Sequence, residues 1–137
     1  MHLERKNRML YVDHIGYAVK KIGRAQKAFE LLGYEFGDII SDTDRKIDIC
    51  FGEMNGYRIE LVCPQCAGSP VDDVLLKLGN TPYHICYSSD SLEEDLEKIQ
   101  GGGYRMVIPA QEAVAFAGKR VVFLYSLSVG LIEIVEK

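Results

Sequence analysis

The apolar residues in the first half of the chain follow two periods. A period of two predicts strands, over residues 10–19, near 36–41, and over 46–53 and 57–63. A period of 3.6 over residues 22–32 predicts an amphipathic helix that Gly33 ends. Asn55 and Gly56 lie between the last two strands, where this dipeptide is a strong hairpin signal. The first half is therefore predicted to form a strand, a helix and three strands.

The second half repeats this order. Strands are predicted over residues 83–89, about 104–108, 119–125 and 130–136. Ser91 and Glu94 have the spacing of a capping box, which predicts the start of a helix that Gly101, Gly102 and Gly103 end. Recurrence of one element order indicates a duplicated fold.

A short helix is predicted between the halves, with Ser69 as its N-cap, Pro70 at its first position and Gly79 past its end. The predicted fold class is α+β, with two tandem βαβββ modules whose curved sheets form a metal-binding cleft. The modules span residues 10–66 and 81–137, and the linker helix spans 67–80. Together they form one domain, residues 10–137, after an N-terminal arm of residues 1–9.

Four polar residues lie on strand faces opposite the apolar residues that should pack under the helices: His14, Glu60, His84 and Glu133. Each module contributes one histidine from its first strand and one glutamate from its last. The offsets are nearly equal, 70 for the histidines (84 − 14) and 73 for the glutamates (133 − 60).

Two interpretations of this set remain. Each residue could be a half-exposed polar side chain on an open sheet face. Alternatively, two neutral imidazoles and two carboxylates could share a cleft and bind a divalent metal, because carboxylates placed close together need a cation. Agreement of four positions with one repeat favours the metal site, which leaves room for two waters or a bidentate oxygen substrate.

Composition narrows the function classes. The chain of 137 residues is 47% hydrophobic and 26% charged, with a net charge of -4. An acidic chain gives no electrostatic footprint for nucleic acid or anionic membranes. No apolar run approaches a membrane span, and we expect a cytoplasmic protein.

Four cysteines are too few for a secreted disulfide scaffold, so we expect reduced thiols. Cys63 and Cys66 have CxxC spacing, but the pair follows a strand and has no second CxxC or CxxH partner. This favours an incidental or structural role over a metal or redox role.

The motifs DHIGYAV, RIELV, GSPV, YHICY, GKRVVFL and GLIEI, in this order, resemble the vicinal oxygen chelate superfamily over residues 11–136. That superfamily includes glyoxalase I, extradiol dioxygenases, bleomycin resistance proteins and methylmalonyl-CoA epimerase, and the epimerases are the branch most similar to this chain. The resemblance implies the glyoxalase/bleomycin resistance fold, with His14, Glu60, His84 and Glu133 as metal ligands. The chain departs from the epimerases at Tyr125 and Ser126, where they commonly carry His-Pro.

The resemblance implies a metal-dependent isomerase of methylmalonyl-CoA epimerase type, using Zn, Co, Ni or Mn. A metal-bound carbonyl makes the adjacent C–H acidic, and an epimerase needs bases on both sides of that carbon. Glu133 is one candidate base. Asp48 is the other, because strand alternation in KIDICF predicts that it faces the same cleft as the ligands.

Two other functions remain open. A glyoxalase I-like lactoylglutathione lyase would use the same ligands, and a bleomycin-resistance-like protein would only bind a small molecule. An extradiol dioxygenase, with iron on two histidines and one carboxylate, would leave Glu60 unexplained. The expected partner is a small molecule, an acyl-CoA or a thiol adduct. Because relatives often form homodimers, the resemblance also implies that this chain can form one.

Overall fold

The computed structural model describes residues 10–137, and the predicted N-terminal arm lies outside this range. The described strands are β1 (Leu10–Ala18), β2 (Glu35–Phe36), β3 (Ile40–Asp42), β4 (Ile47–Met54), β5 (Tyr57–Pro64), β6 (Thr81–Ser89), β7 (Arg105–Glu112), β8 (Arg120–Ser126) and β9 (Gly130–Glu136). The helices are α1 (Ile22–Glu30), α2 (Asp72–Leu78) and α3 (Leu92–Gly101), with a short 3₁₀ helix at Val114–Phe116. The α+β class is confirmed.

Within residues 10–137, no helix is long and apolar enough to cross a bilayer.

The chain divides into two compact units, residues 14–84 and the remaining described residues. The sheet of the first unit has the strand order β2-β4-β5-β1, with β3 also paired to β4. β1 and β5 are parallel, whereas β4 is antiparallel to each of its neighbours. The predicted module bounds at residues 66 and 81 stay a prediction.

A two-residue turn joins β4 and β5. Asn55 and Gly56 have φ values of 55° and 84°, as the predicted hairpin requires. The turn sets Met54 opposite Tyr57 and fixes the register of the whole hairpin. The hairpin prediction is therefore confirmed.

The core of the first unit lies between its sheet and α1. Ala25 of α1 packs with buried residues of β4 and β5 and with the residue that follows β1, namely Cys50, Ile59, Leu61, Cys63 and Val19. Because strand side chains alternate, Glu60 lies on the opposite face from Ile59 and Leu61, as the sequence predicts.

The second unit has the strand order β6-β9-β8-β7, with β6 parallel to β9. Leu92 of α3 packs on one face of this sheet against Val122, Leu124, Ile132 and Ile134. A second cluster, formed by Cys86, Ala113, Val121 and Val135, contains the β9 residue that follows Ile134. Alternation therefore puts Glu133 on the face away from α3, as predicted.

Two strand predictions differ from the structure in extent. The single strand expected near residues 36–41 is two short strands, β2 and β3, which pair with different parts of β4. β7 continues to Glu112, beyond the expected end, through register irregularities against β8. Such bulges let a strand bend while it keeps pairing.

The predicted N-cap Ser69 and first helical position Pro70 of α2 are wrong, whereas Ser91 occupies the N-cap of α3 as predicted. α2 begins at Asp72 with Val71 as its N-cap, and Ser69 precedes it in a turn where its Oγ accepts a hydrogen bond from the Val71 N–H at 3.3 Å. Gly79 does end α2, with a φ of 71°.

Ser91 occupies the N-cap of α3, but its side chain makes no cap hydrogen bond. Ser89 supports the helix start in another way, because its Oγ accepts from the Ser91 N–H at 3.1 Å and donates to the Asp95 carboxylate. The carboxylate and the first turn of the helix are thus tied to the end of β6.

Candidate metal centre

Three of the four predicted ligands come together within the first unit. His14 lies on β1, Glu60 on β5 and His84 on β6. All three are buried, with relative exposures of 1%, 3% and 4%. A carboxylate is seldom buried to this extent unless a partner compensates its lost hydration.

The Glu60 carboxylate lies between the two imidazoles. Its Oε1 is 3.3 Å from Nε2 of His14 and 3.5 Å from Nε2 of His84. The two histidine rings have their centroids 5.6 Å apart at 72°. Two nitrogens from different strands therefore point at one carboxylate oxygen.

This donor set fits a divalent metal ion. The ligand atoms of His14, Glu60 and His84 all lie within 4.8 Å of one another. Donors about 2.1 Å from one ion lie roughly 3 to 4.2 Å apart, close to the observed separations. Imidazole nitrogens with a carboxylate oxygen suit zinc and other first-row metals.

Phe51 and Gly16 lie on the same face of the sheet as Glu60, and they limit where the two histidine rings can lie. The Phe51 ring meets His14 at a centroid distance of 5.6 Å and an angle of 75°, and the Arg58 guanidinium lies 4.0 Å from the Phe51 ring centroid. Gly16 lies under His84, because a Cβ at Gly16 would overlap the imidazole ring. The sequence pattern predicts a site role for neither Phe51 nor Gly16.

The fourth predicted ligand, Glu133, belongs to the second unit. It lies in the middle of β9, opposite Phe123 of β8 and beside Cys86 of β6, and it is 4% exposed. Its burial resembles that of Glu60, its counterpart in the repeat. Its role as a ligand and as a base stays a prediction.

The predicted orientation of Asp48 is wrong. Asp48 lies opposite Cys63 in the β4–β5 register, whereas Phe51 lies opposite Glu60. Directly opposed residues of antiparallel strands share a face, so Asp48 lies on the α1 side of the sheet and not on the Glu60 side. Its Oδ1 accepts a hydrogen bond from Gln65 Nε2 at 2.9 Å.

The CxxC pair has separate environments. Cys63 is buried in the core, and Cys66 is exposed. Burial raises the pKa of the Cys63 thiol, which donates a hydrogen bond to the Lys20 carbonyl at 3.4 Å. No disulfide joins cysteines within residues 10–137. A protonated core thiol of this kind favours the structural role over a metal or redox role.

Comparison with known proteins identifies one protein family. Residues 13–123 match the profile of the Glyoxalase/Bleomycin resistance protein/Dioxygenase superfamily. A similar curated protein is the uncharacterized protein YqjC of Bacillus subtilis (strain 168), which is 30% identical over 116 residues, covering 82% of this chain and 81% of that protein.

Two further proteins are named as epimerases. The ethylmalonyl-CoA/methylmalonyl-CoA epimerase of Cereibacter sphaeroides is 26% identical over 116 residues, 83% of this chain and 87% of that protein. The crystal structure of methylmalonyl-CoA epimerase from Mycobacterium tuberculosis superimposes with a TM-score of 0.83 at 23% identity, covering 98% of this chain and 93% of that one. At 23% identity, the similarity to the Mycobacterium tuberculosis enzyme shows a shared fold alone.

Proposed function

Because the chain belongs to the glyoxalase/bleomycin resistance protein/dioxygenase superfamily, we propose that it is a metal-dependent epimerase of an acyl-CoA of methylmalonyl-CoA type. One observation carries the proposal: a buried Glu60 carboxylate lies 3.3 Å and 3.5 Å from the Nε2 atoms of His14 and His84. The similarity to a named epimerase supports the choice of substrate class.

We propose His14, Glu60, His84 and Glu133 as the ligands of the ion. Burial of Glu133 and its equivalence to Glu60 in the repeat support the fourth assignment. Zn, Co, Ni and Mn all accept such a ligand set. A bound divalent ion would withdraw electron density from a substrate carbonyl and make the adjacent C–H more acidic.

The side chains then have distinct tasks. His14 and His84 act as neutral nitrogen donors, and the Phe51 ring packs at a steep angle against the His14 ring. When it is released from the ion, the Glu133 carboxylate would take the proton from the carbon next to the thioester carbonyl.

Return of the proton to the other side of the carbon requires a second group. Asp48, the residue predicted for that role, lies on the other face of the sheet from Glu60, so we propose no role for it in the reaction.

The expected partner is a small acyl-CoA. The acidic net charge of -4 gives no support for nucleic-acid binding. Homodimer formation and a cytoplasmic location stay predictions.

The test combines metal analysis with isotope exchange. Protein purified without chelator is analysed for metal, and the metal-loaded protein is incubated in D₂O with each enantiomer of methylmalonyl-CoA. We expect one bound ion per chain and deuterium at C2 of both enantiomers, and we expect chelator treatment to stop the exchange. Exchange with neither enantiomer would contradict the proposal. Turnover of the methylglyoxal–glutathione hemithioacetal would then support a lyase, and inertness towards both substrates a binding protein.

A further inference from the structure

Gly16 occupies a position where the backbone does not require glycine. It lies in the middle of β1, buried, with its Cα paired to that of Glu60 on the parallel strand β5. It is absent from the glycines with positive φ in the described chain, so alanine could adopt its backbone conformation. A Cβ at Gly16 would nevertheless overlap Cε1, Nε2 and Nδ1 of His84. The glycine therefore provides the space that the imidazole occupies.

We infer that Gly16 is a positioning residue that sets the His84 imidazole for metal binding. The ring lies over the Gly16 Cα, with the Tyr83 ring against it at a centroid distance of 4.5 Å and an angle of 84°. In this position Nε2 of His84 is 3.5 Å from Glu60 Oε1. A methyl group at residue 16 displaces the whole ring and moves Nε2 away from the carboxylate. The inference rests on the proposed metal centre.

Gly52 offers a matched control. It also lies within a strand of the same unit, and a Cβ there would overlap an aromatic ring, that of Phe36. Gly52 is opposite Ile59, which places it on the α1 face, away from Glu60. Gly52→Ala and Gly16→Ala thus introduce the same methyl group and a comparable overlap on opposite faces of one sheet.

The first measurement is Zn²⁺ affinity of the full chain by competition with a chromophoric chelator. We expect Gly16→Ala to weaken Zn²⁺ binding between about 10- and 100-fold, the range found when a residue that orients a metal ligand is lost. Gly52→Ala should stay within about twofold of wild type. Replacement of Zn²⁺ by Co²⁺ gives a second signal, because a displaced imidazole changes the visible absorption of the ion. Wild-type affinity in Gly16→Ala, or equal weakening in both variants, would overturn the inference.

The second measurement is a double-mutant cycle on the metal-free protein with His84→Ala. If the overlap is specific to the imidazole, Gly16→Ala lowers the midpoint of urea unfolding in the presence of His84 and not in its absence. Should Gly16→Ala alone fail to fold, the double variant is expected to fold. If Gly16→Ala lowered the midpoint of urea unfolding equally with and without His84, the positioning role would be refuted. Failure of the double variant to fold would refute it as well.

The two measurements separate this inference from the proposed function. Failure of the wild-type protein to bind Zn²⁺ would contradict the proposed metal centre and, with it, the positioning role. Tight Zn²⁺ binding without epimerase exchange would contradict only the proposed reaction, and the affinities of Gly16→Ala and Gly52→Ala would still decide the role of Gly16.

Discussion

Phe51 and Glu60 lie directly opposite each other on the antiparallel strands β4 and β5. They therefore share a face, and the Phe51 ring meets the His14 ring there. The same register puts Asp48 opposite Cys63, on the face that packs towards α1. One hairpin thus determines which of its residues belong to the candidate metal centre.

Asp48→Asn should leave proton exchange nearly unchanged. Loss of a catalytic base costs roughly 10²–10⁴ in rate, whereas Asp48 lies on the face away from Glu60 and accepts a hydrogen bond from Gln65. We expect deuterium incorporation into both methylmalonyl-CoA enantiomers within about twofold of wild type, and unchanged metal content.

Glu133→Gln is the comparison for this experiment. It removes the proposed base, together with the charge of one proposed ligand, at nearly constant size, and exchange should fall by roughly 10²–10⁴ in protein whose metal content is checked at the same time. A collapse of exchange with one enantiomer in Asp48→Asn would restore Asp48 as a base and contradict the face argument.

His84→Ala should abolish stabilisation of the fold by Zn²⁺. A ligand that binds only the folded state stabilises it by about 2.7 kcal/mol at 100 times its Kd. We expect the wild-type thermal midpoint to rise with added Zn²⁺ and the variant midpoint to stay constant. Far-UV circular dichroism should show the same helix and strand content in both. A variant that unfolds even with excess Zn²⁺ would indicate a purely structural histidine.

Phe51→Ala should weaken both the fold and the centre. The half-buried ring packs between His14 and the Arg58 guanidinium. We expect a loss of about 1–3 kcal/mol in the free energy of unfolding, less than for a fully buried ring, and roughly 10-fold weaker Zn²⁺ binding. Urea unfolding and chelator competition measure the two effects.

Tyr57→Ala is the control, because Tyr57 belongs to the same hairpin but is 76% exposed. Its effect on Zn²⁺ affinity should be negligible. Equal effects of the two variants would mean that Phe51 does not hold His14.

Glu136→Gln should reduce the acid sensitivity of the fold. Arg120 donates hydrogen bonds to both Glu136 oxygens at 2.9 Å and lowers the Glu136 pKa from 4.5 to about 2. A carboxylate whose pKa is lowered by folding stabilises the protein above its unfolded pKa, and this contribution disappears as the pH falls towards 2. Urea unfolding between pH 5 and 2.5 should therefore show a shallower decline in the variant than in wild type.

Glu97→Gln, at an exposed position of α3, controls for the loss of one carboxylate. A decline as steep in Glu136→Gln as in wild type would show that the Arg120 pair contributes nothing measurable, which is common for exposed ion pairs.

Much of the first unit follows from local sequence rules. Asn55 and Gly56 require the two-residue turn that the structure contains, and that turn alone fixes the register. Pairs in this register have residue numbers that sum to 111, as in Met54–Tyr57, so Phe51 could have been placed opposite Glu60 from the sequence. The pattern misplaces Asp48 because Ile47, Ile49 and Phe51 are the apolar set that alternation would assign to the helix, whereas Cys50 faces it.

Other features depend on tertiary contacts that no local pattern contains. The space above Gly16 is meaningful only once His84, 68 residues later in the chain (84 − 16), lies over it. Ser91 has the correct spacing for a capping box and occupies the N-cap of α3, but its side chain makes no cap hydrogen bond. Ser89, at the end of β6, instead accepts from the Ser91 N–H, a contact that the capping-box spacing does not contain.

The parallel pairing of β1 with β5 also affects how fast the chain can fold. Ile15 pairs with Ile59, so 44 residues (59 − 15) must close into a loop before the pair forms. Non-local pairings of this kind raise contact order and slow folding. His14 and Glu60 are adjacent only after this closure, so the unfolded chain does not present the proposed donors to an ion together. Added metal should therefore slow unfolding and leave the refolding rate nearly unchanged.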